Sequence, residues 1–202
     1  VIALDLAGHG RSSHRSMDSS YDIWIDIGEV IAVADQMGWE RFALLGHSRG
    51  AIISGLIAGT FPDRITQVAL IDGYVPMPHD ADNAAKQVMK AIRENKRFGG
   101  ASPTHFPDFD RAIQARVNGF VPLQLEAATL LANRGVAEGP RGYYWANDQR
   151  LKAASFVKFS KGHLEGFFTA IIARVLLIQA ENSAVSPDRQ QSEFFGWVPH
   201  MQ

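Results

Sequence analysis

Ser48 lies between two glycines where an apolar run ends, in the stretch RFALLGHSRGA. Residues 42–45 are typical of a buried strand, and residues 49–60, which are rich in Ala, Ile and Leu, are typical of a helix. A sharp turn from a strand into a helix exposes the side chain at the turn and needs small residues two positions before and after it. We therefore predict that Ser48 is a nucleophile on such a turn, with Gly46 and Gly50 as its small neighbours.

The two residues that flank Ser48 receive different predictions. The backbone N–H of Arg49 lies at the positive end of the predicted helix, where it can donate to an oxyanion that develops next to the serine. The Arg49 side chain is expected to pair with an acid. Side chains on either side of a sharp turn diverge, so His47 is expected to pack or to form hydrogen bonds rather than to serve as the base.

Strand-like and helix-like segments alternate along the first part of the chain. Apolar runs at 1–6, 41–45 and 68–72 are separated by helical periodicity at 21–37 and 49–60. This alternation predicts βαβ units, and these require a parallel sheet with flanking helices, which is an α/β fold class.

The pattern changes in the middle of the chain, because no strong strand-like run occurs between residue 79 and about residue 170. Helical periodicity predicts elements in the second half of the chain at 81–95, 109–120, 123–133 and 187–195, with one strand at 174–179. A helical cap inserted into an α/β core explains this order. The predicted division is a first core part at 1–78, a cap at 79–165 and the returning core at 166–202.

Composition argues against several classes of partner. The formal net charge is −1 at pH 7 and no block of like charge occurs, so neither nucleic acid nor a membrane surface is predicted as a partner. No apolar run is long enough to span a bilayer. The absence of cysteine excludes disulfides and thiolate metal sites and favours a cytoplasmic location. We predict no metal and no cofactor, because neither a metal-ligand spacing nor a phosphate-binding glycine motif is present.

The predicted partner is a small-molecule substrate with an apolar part. The sequence does not indicate which oligomeric state the protein adopts. Six aromatic residues in the cap stretch either line an apolar pocket or form the core of the cap itself: Phe106, Phe109, Phe120, Tyr143, Tyr144 and Trp145.

Three segments resemble the α/β-hydrolase superfamily. DLAGHGRSS (5–13) is similar to the turn after its fourth strand, LLGHSRGA (44–51) to the nucleophile elbow after its fifth, and VLLIQAENSAVSP (175–187) to its seventh strand and acid-bearing loop. The cap stretch is similar to that of the serine hydrolase-like family in four places: Arg134-Gly135, Tyr143-Tyr144-Trp145, Asp148-Gln149-Arg150-Leu151 and Ser155. Asp148 and Arg150 are expected to form a structural ion pair that holds the cap.

The resemblance implies a serine hydrolase that acts on an ester or similar carbonyl substrate through an acyl-enzyme, with Ser48 as the nucleophile. A serine at the elbow argues against the haloalkane dehalogenases and epoxide hydrolases, which resemble this fold but place an aspartate there. Two alternatives stay open, namely a non-catalytic binding protein on the same fold and a C–C hydrolase or lyase.

The resemblance does not fix the catalytic acid. The position of the usual carboxylate after the seventh strand is Ser183, which cannot serve as one. Glu181 lies two residues earlier, and Asp72 ends the sixth strand, where some capped relatives place the acid. Asp188 is better explained as a helix cap. The acid is therefore predicted to be Asp72 or Glu181.

The catalytic histidine and part of the oxyanion hole are not found. GWVPH (196–200) resembles the approach to the eighth strand, so His200 precedes the position of the catalytic histidine. The other candidates lie in turns, loops or the cap and are expected to be structural: His9, His14, His79, His105 and His163. The second oxyanion donor belongs to a loop after the third strand, and that loop would precede Val1.

The resemblance thus describes an incomplete fold that lacks its first three strands and its last strand, which is a fragment without both ends. Such a fragment is expected to be inactive alone. The missing third strand would separate residues 1–6 from residues 41–45 and would leave an unpaired edge, so the isolated chain is expected to be marginally stable or prone to aggregation.

Overall fold

The computed structural model of the protein describes residues 1–181, 183, 195–198 and 200–202. The helices in this part of the chain are α1 (Ile23–Gln36), α2 (Arg49–Thr60), α3 (Ala84–Gly99), α4 (Phe109–Val117), α5 (Leu125–Gly135) and α6 (Lys161–Thr169). The strands are β1 (Phe42–His47), β2 (Ile65–Ile71), β3 (His105–Phe106), β4 (Val136–Gly139), β5 (Gly142–Trp145) and β6 (Arg174–Ile178). The helix predicted at 187–195 falls almost wholly outside the described residues.

The chain forms two compact units. The sheet unit comprises residues 22–87 and 157–202, and the helix-rich unit comprises residues 1–21 and 88–156. The division predicted from the sequence, with boundaries at 78/79 and 165/166, stays a prediction.

The sheet unit is built on a parallel sheet in the order β1-β2-β6, which confirms the predicted α/β class. Helix α2 packs against β1, β2, α1 and α6, which explains why it is apolar on almost every side. Its Leu56 and Ile57 are fully buried. Gly59 permits the close approach of α6, since a Cβ at this position would collide with the backbone of Phe167. The sheet thus holds the end of β1 and the start of α2 rigidly.

The chain's last residues extend the sheet beyond β6. Val175 N–H donates to the carbonyl of His200 at 3.2 Å, and Gln202 N–H donates to the carbonyl of Val175 at 2.9 Å. Val175 and Met201 form a parallel bridge. Residues 200–202 therefore begin to pair alongside β6, as the interpretation of GWVPH as the approach to a further strand predicts.

The prediction of a strand at 1–6 is wrong. No strand among the described residues supplies a ladder of hydrogen bonds to this segment, and an apolar run without a neighbour cannot form a strand. The segment is tied to the following turn instead: Asp5 accepts the Arg11 N–H at 3.1 Å and pairs with Arg134 at 2.5 Å. The Arg11 N–H and the Arg134 side chain hold the pKa of Asp5 below its ordinary value, against the opposing effect of burial.

The helix-rich unit contains most of α3 and all of α4 and α5, as the prediction of a mainly helical stretch requires, but it also contains a short antiparallel sheet in the order β3-β5-β4 that was not predicted. A two-residue turn at 140–141 joins β4 to β5 in a hairpin, with Gly142 at φ 99°. The aromatic run Tyr143-Tyr144-Trp145 favours a strand, although it is too short for the periodicity to stand out. Helix α4 packs against β3 and β5, and α5 packs against α4.

The core of the helix-rich unit contains two of the six cap aromatics. Phe109 and Trp145 pack on the buried cluster of Ile113, Ala128 and Ala132, and the Trp145 indole donates to the Ala112 carbonyl at 3.1 Å. These two aromatics therefore form the core of their own unit. Phe120, in contrast, is fully exposed.

A buried ion pair in the helix-rich unit contacts the loop that precedes α1. Arg150 is 4% exposed and lies 2.8 Å from the Asp148 carboxylate, which confirms the predicted pair. Burial by itself would raise the pKa of Asp148, but hydrogen bonds from Arg150 and Tyr21 outweigh it and lower this pKa to about 2. The pair thus stays charged at every ordinary pH.

No helix in the described part of the chain has the length and apolar character needed to cross a membrane.

Candidate active site

Ser48 forms the junction between β1 and α2, in a backbone conformation that L residues rarely adopt, with φ 51° and ψ −116°. Its N–H donates to the Ile71 carbonyl at 2.9 Å. Its carbonyl accepts from the N–H groups of Ala51 and Ile52, at 3.0 and 3.2 Å. The turn residue is thus fixed to β2 on one side and to the first turn of α2 on the other, as the predicted strand–turn–helix requires.

The space around the turn accounts for one of the two flanking glycines. A Cβ on Gly46 would collide with the Gly50 carbonyl, so this position must be glycine. A Cβ on Gly50 would have no atom within 4 Å, so the expectation that this position must also be small is wrong. The structure instead adds Gly73, where a Cβ would lie 2.8 Å from the Cα of Ser48. A glycine directly after the last residue of a strand was the only sequence signal for Gly73.

The Ser48 hydroxyl is not used for capping, although Ser48 occupies the N-cap position of α2. Serine at this position normally accepts a hydrogen bond from the N–H of the second or third helical residue. Ser160 does this at the start of α6, where it forms a capping box with His163. At Ser48 the positive φ turns the residue away from such a bond, and the side chain is exposed. Its hydroxyl is therefore available for other chemistry.

Arg49 is the first residue of α2, so its N–H lies at the positive end of the helix. Its guanidinium pairs with Asp26 of α1, with Nη2 and Oδ2 2.7 Å apart, which confirms the expected pairing with an acid. Asp26 is not among the residues predicted from the sequence. A signal was present, because Asp26 falls within the apolar periodicity of residues 23, 27 and 30, where an acid is out of place unless it has a partner.

Asp72 directly follows β2, beside the turn that carries Ser48, and has a positive φ of 47°. Its N–H donates to the Ile178 carbonyl at 2.8 Å, and its Oδ1 accepts the Ala180 N–H at 3.4 Å. The carboxylate therefore has a defined orientation at the carboxyl edge of the sheet. Glu181, the other candidate acid, is exposed in the turn after β6, and Ser183 closes that turn by donating its N–H to the Ala180 carbonyl at 3.2 Å.

All seven histidines lie within the described residues, and none of their rings is hydrogen-bonded to the Ser48 hydroxyl. His14 contacts the Ala146 carbonyl and the Asp148 carboxylate, His163 contacts Ser160, and the His105 ring packs against Tyr144. His47, next to the serine, is exposed at the end of β1. The structure thus brings Ser48, Arg49 and Asp72 together at one edge of the sheet without a catalytic histidine among them.

The described residues contain no group of three or more acids and histidines arranged to hold a metal ion. Near the end of β2, Tyr74 packs edge-on against Phe168, and burial raises the pKa of its phenol well above the ordinary value. Tyr74 therefore remains neutral and serves as a packing residue.

Comparison with known proteins places these features in a family. The sequence model described as alpha/beta hydrolase fold matches residues 1–202. "Serine hydrolase-like protein 2" of Homo sapiens is 27% identical over 197 residues, which are 95% of this chain and 63% of that protein. "Serine hydrolase-like protein" of Danio rerio is 23% identical over 184 residues, which are 90% of this chain and 56% of that protein. The chain thus spans about three fifths of the length of these curated relatives.

Two solved structures are similar to this chain. The crystal structure of a hypothetical protein from Pseudomonas aeruginosa PAO1 has a TM-score of 0.91 and 36% identity, covering 98% of this chain and 70% of that one. The thioesterase domain from the curacin biosynthetic pathway has a TM-score of 0.81 and 22% identity, with the same coverage of both chains. At this identity the second likeness shows the fold alone.

Proposed function

The chain belongs to the α/β-hydrolase fold family, and we propose that Ser48 is the nucleophile of a serine hydrolase that acts on an ester or similar carbonyl substrate. The names of the relatives support a hydrolase in the coarser sense. The substrate and the activity belong to the whole protein, because this chain spans only part of each curated relative.

The observation that carries the proposal is the exposed hydroxyl of Ser48 on a strained turn. A serine at a helix N-cap normally gives its hydroxyl to the helix, whereas Ser48 does not. The unfavourable backbone is held by hydrogen bonds to Ile71 and from Ala51 and Ile52. Strained residues that the surrounding structure holds in place concentrate at functional sites.

The reaction follows from this placement. The Ser48 oxygen forms a bond to the substrate carbonyl carbon, its proton passes to a general base, and the carbonyl oxygen becomes an oxyanion. The N–H of Arg49 stabilises that oxyanion. The leaving group then departs with a proton, and water attacks the acyl-enzyme to release the acid and restore the hydroxyl. The histidine that serves as base and the second oxyanion donor are left unassigned.

We place the catalytic acid at Asp72, with Glu181 as the alternative. Asp72 lies at the end of the strand next to the one that carries Ser48, and the Ala180 N–H orients its carboxylate. Glu181 is exposed, and its side chain makes no hydrogen bond to a described residue. In the whole protein, Asp72→Asn should lower kcat by a factor of about 10⁴ if Asp72 orients the base. Glu181→Gln should then change kcat less than twofold, and the opposite result would move the acid to Glu181.

A fluorophosphonate probe, which reacts with activated serines, tests the nucleophile in the whole protein. We expect the probe to label the wild type at Ser48 and to leave Ser48→Ala unlabelled. Ser160→Ala is the matched control, since Ser160 is another helix N-cap serine whose hydroxyl is used for capping, and labelling should persist in it. Label that survives in Ser48→Ala would refute the assignment. A wild type that takes up no label would favour the non-catalytic alternative, with which the lack of a histidine hydrogen bond to Ser48 is consistent.

A further inference from the structure

We infer that Asp26 is a positioning residue for the elbow, acting through Arg49; this inference rests on the proposed role of Ser48. Asp26 lies in the first turn of α1 and is 2% exposed, whereas the Arg49 side chain is 41% exposed. The 2.7 Å contact between Arg49 Nη2 and Asp26 Oδ2 connects the first turn of α1 to the first residue of α2.

The burial of Asp26 makes this contact a strong constraint. An ionised carboxylate inside a protein is costly unless a cation or hydrogen-bond donors compensate it, so the Arg49 guanidinium is held where Asp26 requires it. Arg49 cannot turn about the helix axis or shift along it without breaking the contact. The pair therefore fixes the first turn of α2, together with the direction of the Arg49 N–H and the position of Ser48.

The contact between Asp26 and Arg49 constrains the Arg49 N–H, which is the proposed oxyanion donor. An oxyanion donor works only if it already points at the position where charge develops, and loss of one donor lowers kcat by a factor of about 10²–10³. Asp26 touches neither the substrate nor the reacting atoms, so its removal should misalign the donor without abolishing it. We expect Asp26→Asn to lower kcat about ten- to hundredfold and to change KM less than twofold.

The same helix offers a matched control. Asp35, in the last turn of α1, pairs with Arg64 at the same distance of 2.7 Å. Arg64 precedes β2 and does not belong to the turn that carries Ser48. Asp35→Asn thus removes the same charge and an ion pair of the same length from α1, at an exposed position remote from Ser48. We expect it to leave kcat and KM within twofold of the wild type.

The test measures turnover of p-nitrophenyl acetate by the whole protein together with hydrogen exchange at two amides. The N–H groups of Ala51 and Ile52 bond to the Ser48 carbonyl, so their exchange reports directly on the first turn of α2. In Asp26→Asn we expect these amides to exchange at least tenfold faster than in Asp35→Asn. Asp26→Glu keeps the charge and should recover part of kcat. If Asp26→Asn does not fold, Arg49→Gln removes the same contact from its half-exposed side and should give the same loss.

The possible outcomes separate this inference from the proposed function. Equal exchange of Ala51 and Ile52 in the Asp26 and Asp35 variants overturns the inference whatever the activity is. A rise in KM with kcat unchanged also overturns it, because that pattern indicates a binding contact. If the wild type neither turns over nor labels at Ser48, the proposed function fails, and the exchange comparison still decides whether Asp26 holds the turn.

Discussion

Replacement of Arg150 by methionine should release the loop that precedes α1. The Arg150 guanidinium donates to the carbonyls of Arg15, Ser16 and Ser19 at 2.5, 2.8 and 3.1 Å, in addition to its bonds to Asp148. Methionine has a similar length but no donor. In the variant, three carbonyls lose their hydrogen bond from Arg150 and the buried Asp148 carboxylate loses its cation, and loss of one member of a buried ion pair costs about 3–5 kcal/mol.

Hydrogen exchange measures this loss where it occurs. The Asp148 N–H donates to the Gly8 carbonyl at 3.0 Å, and the Arg15 N–H donates to the Tyr21 hydroxyl at 2.9 Å, so both amides report on the attachment of the loop. A loss of 3 kcal/mol corresponds to exchange about 150-fold faster at these amides. Lys152→Met is the control, because Lys152 is an exposed residue of the same turn whose ammonium donates to the Gln149 side chain, and we expect a change within about 0.5 kcal/mol. Acceleration below fivefold in Arg150→Met would refute the reasoning.

The pH dependence of the same variant gives a second check. The folded-state pKa of Asp148 is about 2, below the value near 3.9 of an unfolded chain, so the stabilisation is complete above about pH 4 and is lost as the pH falls through 2. Solvent at the edge of the network screens part of the interaction, so we assign about 1–2 kcal/mol to this effect. The difference in stability between the wild type and Arg150→Met should narrow by that amount between pH 5 and pH 2. A difference that stays constant over this range would show that Asp148 is not the titrating partner.

Three further outcomes are expected. Gly46→Ala should slow fluorophosphonate labelling of the whole protein at least tenfold, because the new methyl group collides with the Gly50 carbonyl. Gly50→Ala adds its methyl group in open space and should label at the wild-type rate. Equal slowing in both variants would refute the steric argument. Trp145→Phe should lower the free energy of unfolding in urea by about 1–2 kcal/mol, since it removes the indole hydrogen bond to the Ala112 carbonyl and part of the packing on the buried cluster. An unchanged midpoint would contradict this. Ser160→Ala should cost about 1 kcal/mol through the lost cap of α6, measured as faster amide exchange in its first turn.

The elements that depend on local patterns were predicted well. Helix α2 has the predicted bounds of 49–60, and the strand predicted at 174–179 is β6 at Arg174–Ile178. For α2 a continuous apolar pattern is enough, because the helix is buried on several sides. For β6 a short run rich in Val, Leu and Ile is enough, although only Val175 is buried and Leu176 and Ile178 are about half-exposed. The strand at 1–6 failed for the opposite reason. Its composition suits a strand, but strand formation depends on a neighbour, and the composition of one segment does not reveal whether a neighbour is present.

The part of the site that could be predicted from the sequence is the sharp turn that carries Ser48. Ser48 and Gly46 follow from the sharp turn, and the sequence shows the turn directly as a pentapeptide between a strand and a helix. The roles of Gly73 and Asp26 depend on contacts between elements that are distant along the chain. The sequence placed Asp26 within an apolar stripe but did not show that its partner is the residue after Ser48. The choice between Asp72 and Glu181 stayed open because it depends on how two loops meet at the sheet edge.

The distribution of backbone strain gives an argument for the site that is independent of any motif. Among the described residues, only two that are not glycine have a positive φ, and they are Ser48 and Asp72. Each such residue costs about 1–3 kcal/mol, so folding stability alone would disfavour both. They occupy the ends of adjacent strands, β1 and β2, and they are the proposed nucleophile and the favoured acid. If strain arose at random along the chain, there would be no reason for both instances to fall at one edge of one sheet. A functional role for these two side chains would explain why both strained residues lie at this edge, and this placement supports Asp72 over Glu181.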